Sequence, residues 1–183
     1  KQRVADAGLE DRVTLLLRDY RDLEGQYDKI VSIEMIEAVG HEFLDTYFSK
    51  CADLLKPQGM MLLQAITIAD QRYQAALKSV DFIQRYIFPG GFLPSVTAML
   101  QSVTRSSGMR LYHLEDIGEH YARTLNCWRR SFLAQLRKIR EMGYSDSFLR
   151  MWNYYYCYCE GAFIERAIGT VQVAQRLGPA VGP

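Results

Sequence analysis

Four cysteines (Cys51, Cys127, Cys157 and Cys159) and three histidines (His41, His113 and His120) are all the soft metal ligands this sequence holds. The cysteines form no C-x-x-C pair, and the histidines stand at no matching spacing, so neither a zinc site nor a disulfide framework is expected. Unpaired thiols fit a reducing, cytoplasmic setting. No apolar run approaches the ~20 residues that a membrane-spanning helix needs. The opening residues carry no secretory signal. Net charge is +1 over 183 residues, so no overall field points to nucleic acid. What remains is ordinary for one globular domain spanning 1–183: 49% hydrophobic and 23% charged, with no repeat or linker.

Residues 1–8 read as the tail of a helix ending at Gly8. Arg12–Tyr20 (RVTLLLRDY), YDKIVSIEM and GMMLLQAIT read as buried strands. Phe43–Leu55 has helical spacing and stops before Lys56-Pro57. Strand, helix and strand with continuous apolar strands predict a parallel sheet covered on both faces. Further on, Asp70–Ile87 and Val96–Ser107 read as helices, separated by the turn FPGGFLPS. MRLYHLEDIG reads as a strand, Glu119–Met142 as one long helix and Thr170–Leu177 as a last strand. Phe148–Phe163 is dense in aromatics.

Ligands of such sheets bind beyond the carboxyl ends of the strands. Three of those ends are polar here: Asp19 after the first, Glu34 and Glu37 after the second, Gln64 and Thr67 after the third. Each has a plainer reading. Glu34 and Glu37 suit the first turn of a helix, where acids complement the dipole. Asp19 suits a turn, or, with Tyr20, recognition of an adenine edge and face. The aromatic block is core and interface, or the lining of a long apolar substrate. The basic side of the 119–142 helix is a solvated face, or one drawn to anionic lipid head groups. Tyr121 needs a partner for its hydroxyl if it is buried.

At EMIEAVG, LLQAIT, DFIQRYIFPGGFLPS and HYARTLNCW the wording becomes specific, and the chain resembles the cyclopropane-fatty-acyl-phospholipid synthase family. That family belongs to the S-adenosylmethionine-dependent methyltransferases, and the resemblance runs over essentially the whole chain. It implies an α/β fold: a doubly wound, Rossmann-like class I methyltransferase sheet, with inserted helices forming an acyl-chain pocket. It implies methyl transfer to a cis double bond of an unsaturated phospholipid, with a carbocation deprotonated by bound bicarbonate to close a cyclopropane ring. Carried over by position, Glu37, Gln64, Ile66 and Tyr121 fall on the bicarbonate site. Asp19, Tyr20, Ile33 and Glu34 fall beside S-adenosylmethionine. Phe88, Pro89, Gly90, Gly91, Tyr154, Tyr158 and Phe163 fall around the acyl tunnel. The implied setting is peripheral to the inner face of the membrane, and a homodimer is allowed.

This sequence departs from the family in three places. Many members have histidine at Gln64, and glutamine can donate a hydrogen bond without carrying charge; a methyl-branched or methylene product is the alternative this raises. Many also have histidine at Ala38. The glycine-rich cofactor loop and the ribose-holding acid after the second strand have no counterpart here. The expectation is therefore a C-terminal fragment lacking the first two strands of the sheet, which must leave a gap between VTLLLRDY and YDKIVSI or pair them another way. A non-catalytic lipid-associating or assembly module is a further alternative for the chain as it stands.

Overall fold

The computed structural model describes residues 1–178. Its elements run α1 (Gln2–Asp6), β1 (Tyr27–Ile33), α2 (Leu44–Asp53), β2 (Leu55–Ile68), α3 (Asp70–Ala76), α4 (Phe82–Tyr86), α5 (Val96–Ser106), β3 (Met109–Asp116), α6 (Gly118–Ala134), α7 (Leu136–Glu141), α8 (Asp146–Ile164) and β4 (Ile168–Leu177). The four strands form one sheet in the order β1-β2-β4-β3. β1 runs parallel to β2, while β4 runs antiparallel to both β2 and β3.

Strand periodicity decides where the core lies. Alternate residues of β2, among them Met61, Leu63 and Ala65, are fully buried, while Met60, Leu62, Gln64 and Ile66 are only half-buried. The register sets Met61 opposite Gln175, Leu63 opposite Val173 and Ala65 opposite Val171, which extends the buried face onto β4. Leu44, Tyr47, Phe48 and Cys51 of α2 and Met99 and Val103 of α5 join these residues in one core. Each large side chain fully buried there contributes about 1.5–3 kcal/mol. Ser95 caps α5 by accepting from Ala98 N at 3.2 Å.

Several expectations are corrected. Arg12–Tyr20 is not a strand; Leu15, Leu16 and Leu17 stand out in solvent. Among the described residues no strand lies beyond β1 for that run to pair with, and an apolar run without a ladder has nothing to satisfy its backbone. With that run outside the sheet, β1 is an edge strand among the described residues, and neither the expected gap nor another pairing arises. The sheet is mixed, because β4 returns antiparallel, and only one of its faces is tightly covered. The Asp70–Ile87 helix is broken: Asp81 accepts from Gln84 N at 2.8 Å while Gln84 Oε1 accepts from Asp81 N at 3.1 Å, a reciprocal cap that starts a new helix. The Glu119–Met142 helix breaks at Gln135, whose N–H turns to Phe132 O at 3.1 Å in a tighter turn.

Candidate active site

β1 ends opposite Gln64 of β2. Glu34 N still donates to Gln64 O at 2.9 Å, but Glu34 then adopts φ +51 and turns the chain out of the sheet. A left-handed residue other than glycine is strained, and such strain gathers at functional sites. The next inward N–H of β2, that of Ile66, thereby loses the carbonyl a continuing strand would have supplied. Glu37 Oε1 takes its place, accepting from Ile66 N at 2.6 Å. Glu37 sits in a short 3-10 turn, Ile36–Ala38, and α2 does not begin until Leu44. Glu37 thus lies in the first turn of a 3-10 helix, as an acid at a helix start does, and its carboxylate also finishes the strand edge.

The other oxygen, Glu37 Oε2, is buried and has no hydrogen-bond partner. Burial raises the Glu37 carboxyl above its ordinary range; the N–H groups of Glu37 and Ile66 pull it back, and the nearby Glu34 charge raises it further. Beside it, Gln64 Nε2 donates to Glu34 Oε1 at 2.9 Å and to Tyr121 Oη at 3.2 Å. Tyr121 comes from the first turns of α6, and its ring packs on buried Phe163 of α8 at 5.2 Å between centroids. Glu34, Gln64 and Tyr121 are thus joined by one set of side-chain hydrogen bonds and Glu37 and Ile66 by another, and both sets, drawn from three distant segments, lie where β1 leaves β2.

The turn at Phe88–Phe92 closes on the same place. Gly90 has φ +82, and a Cβ on Gly91 would lie 3.1 Å from Phe88 O. That glycine pair lets Phe92 N reach Glu37 O at 3.0 Å. Phe88 then meets Tyr155, with ring centroids 6.4 Å apart. Burial, followed by Cys159, Tyr156 and Glu34, pushes the Tyr155 hydroxyl up to about 12. Further out, Tyr154 and Tyr158 pack on Phe82 at 4.7 and 5.9 Å and remain part-exposed. Pro89 is exposed at the tip of the turn.

Ile33 stands opposite Gln64 on β1 and is exposed. Asp19 caps a 3-10 turn: both of its oxygens are held by the Arg21 guanidinium, at 2.9 and 2.8 Å, which keeps its carboxyl down at about 2. Tyr20 packs edge-on against Tyr47, whose hydroxyl donates to Ser32 Oγ at 2.7 Å. Tyr155 belongs to the aromatic block read above as a lining for an apolar substrate. One residue of the site escaped the sequence reading: Gln172, which donates from Nε2 to Gln64 Oε1 at 2.9 Å, looked like an ordinary polar residue of the last strand, and only the strand register sets it opposite Gln64.

Among the described residues no His, Cys, Asp and Glu group is arranged to hold a metal ion, and no helix is long and apolar enough to cross a membrane.

Comparison with known proteins gives the family. Residues 1–174 match the family model of mycolic acid cyclopropane synthetase. The chain is 43% identical over 161 residues to cyclopropane-fatty-acyl-phospholipid synthase of Escherichia coli K12, covering 88% of this chain and 40% of that protein. It is 42% identical over 163 residues to tuberculostearic acid methyltransferase UfaA1 of Mycobacterium tuberculosis, covering 89% of this chain and 38% of that protein. The crystal structure of mycolic acid cyclopropane synthase CmaA1 complexed with SAH and CTAB superposes with a TM-score of 0.80 at 26% identity, over 95% of this chain and 65% of that one. The chain thus spans 40% or less of the length of these two curated relatives.

Proposed function

This chain belongs to the mycolic acid cyclopropane synthetase family, and we propose that the protein carrying it transfers a methyl(ene) group from S-adenosylmethionine to a cis double bond of an unsaturated phospholipid acyl chain. The product is a cyclopropane ring: the alkene gains the methyl, a cation forms on the acyl chain, and loss of a proton from the new methyl closes the ring. The observation that carries this reading is the buried, partnerless Glu37 Oε2 at the strand end where Gln64 meets Tyr121.

Bicarbonate fits that pair. Glu37 Oε2 is an acceptor with nothing to accept, so it can take the O–H of the anion, and Tyr121 can donate to one of its free oxygens. When bound there, bicarbonate would supply a general base that Glu37 and Tyr121 orient between them. Ile66 N–H holds the first oxygen of Glu37, which fixes the direction of the second. Half-buried Tyr155 and buried Phe163 keep water from the cation, and the exposed rings of Phe88, Tyr154 and Tyr158 continue that apolar lining outward, towards a phospholipid at the membrane surface.

S-adenosylmethionine is the cofactor implied by the family, and it supplies the electrophilic methyl. Asp19, Tyr20, Ile33 and Glu34 are the positions expected beside it. Asp19 is spent on Arg21 and Glu34 on Gln64, so the described residues do not by themselves make its cradle.

A methyl-branched or methylene product is the second reading. Both N–H groups of Gln64 are donated within the protein, so Gln64 gives the anion no hydrogen bond; a more loosely held base leaves the cation longer for another fate. The similarity to a tuberculostearic acid methyltransferase points the same way.

The test is the full-length protein with methyl-labelled S-adenosylmethionine and vesicles of cis-unsaturated phospholipid. Label is expected in the acyl chain, and its absence across several such lipids ends the proposal. Mass spectrometry of the product separates the two readings. A saturated methyl branch, formed only if a separate hydride donor reduces the methylated chain, is heavier than the ring by two hydrogens, whereas a methylene group matches its mass and differs on chain fragmentation.

A further inference from the structure

We propose that Gln172 and Glu34 are positioning residues that lock the Gln64 amide and so force Tyr121 to present its hydroxyl proton to the ligand held beside Glu37. This rests on the anion site proposed above and concerns how the chain sets its polarity.

The argument is a count of donors and acceptors. A glutamine amide has two N–H donors and one carbonyl. At Gln64 the NH2 group serves Glu34 Oε1 at 2.9 Å and Tyr121 Oη at 3.2 Å. Its carbonyl accepts from Gln172 Nε2 at 2.9 Å. Turning the amide over would set the carbonyl against the Glu34 carboxylate and the NH2 group against that of Gln172. The first contact is repulsive however Gln172 stands, and the second is repulsive unless Gln172 turns as well, so Glu34 selects the orientation and Gln172 holds it. The sheet register enforces it further, because Gln64 and Gln172 are directly opposed across the β2–β4 ladder. Gln64 therefore keeps no N–H for a ligand.

The consequence falls on Tyr121. Its oxygen already accepts from Gln64, so its one proton is available to something other than Gln64. With the ring held against Phe163, that proton is the donor of the site, while Glu37 Oε2 is its unpartnered acceptor. Remove the Gln172 donor and the Gln64 carbonyl is left without a partner in a half-buried place. The amide is then held by Glu34 alone; where it turns, Tyr121 donates inward to it and the site loses its donor. Gln172, 108 residues from Gln64 in sequence, thus sets the direction of a proton it does not touch.

The experiment compares Q172M, close in shape but without a donor, with Y121F and the double variant in the full-length enzyme. The readout is the bicarbonate concentration that gives half-maximal rate. Q172M is expected to raise it about tenfold, the worth of one hydrogen bond, with KM for lipid and for S-adenosylmethionine unchanged. Q172M added to Y121F is expected to cause no further loss, since both act through the same proton. Unchanged bicarbonate dependence in Q172M, or effects that add, overturns the proposal. Q172E, which sets a carboxylate against the Gln64 carbonyl, is expected to be worse than Q172M. A second readout needs no turnover: hydrogen exchange of the Gln64 side-chain NH2 by NMR. Protection that is lost in Q172M supports the lock, and equal protection in both proteins refutes it. A wild-type rate independent of bicarbonate, with the lock intact by NMR, refutes the anion site and leaves the lock standing.

Discussion

Residues 13–17 (Val-Thr-Leu-Leu-Leu) and residues 61–65 (Met-Leu-Leu-Gln-Ala) are similar strings with opposite fates. The second is the middle of β2, flanked by β1 and β4, with Leu63 wholly buried. The first is irregular, with Leu15 at 53% and Leu17 at 104% exposure. Composition and β propensity do not separate them. Neighbours do: a strand is stable only where its N–H and C=O groups meet a ladder and one face meets a core. The difference teaches that the chemistry of this chain is built where β2 has a neighbour and that neighbour stops. Ile66 N–H is left over at that point, and Glu37 collects it.

The largest test of the contrast is truncation of a buried leucine. Leu63→Ala is expected to lower unfolding free energy by about 2–5 kcal/mol in denaturant titration; a loss below 1 kcal/mol would mean the covered face is no better packed than the exposed run. Ser95→Ala removes the cap of α5, the helix that lies over that face, and is expected to cost about 1 kcal/mol by the same titration.

Next comes a pH effect at the strand end. Glu37 binds its proton more tightly folded than unfolded, so it favours folding below the ordinary carboxylate value of 4.5, and that contribution is lost as pH rises through its raised folded value. Glu37→Gln is expected to flatten this part of the stability–pH curve, measured by melting temperature against pH; an unchanged slope would place the raised affinity elsewhere. The smallest effect is expected in the exposed run. Leu17→Ala should change stability by no more than about 0.5 kcal/mol, and a loss as large as that of Leu63→Ala would show that the run packs against something in solution.

The legibility of the site follows the same division. Glu34, Glu37 and Gln64 were legible because each stands at or beyond the end of an apolar strand, where a polar side chain is conspicuous; Ile66, an apolar residue in an apolar strand, was reached only through its family wording. Tyr121 was legible only through its family wording, since a tyrosine at the start of an amphipathic helix is unremarkable. Gln172 was illegible because its role depends on which strand pairs with β2, and the antiparallel return of β4 is not written in the local pattern. The broken helices at Asp81 and Gln135 were missed because helical spacing continues across both breaks, whereas the hydrogen bonds that restart or tighten the turn are made locally in three dimensions.

By itself the sequence determined the element types where period and composition agree, the run of β2, the glycine turn at Phe88–Phe92 and the acids at the end of β1. These are local, and the backbone reads them one neighbour at a time. The tertiary structure alone decided that Arg12–Tyr20 stays out of the sheet, that Glu37 finishes an interrupted ladder, and that Gln172 holds Gln64 in one orientation. Each of those needs a partner from another part of the chain, because a hydrogen bond has two ends and the sequence around one end does not name the other.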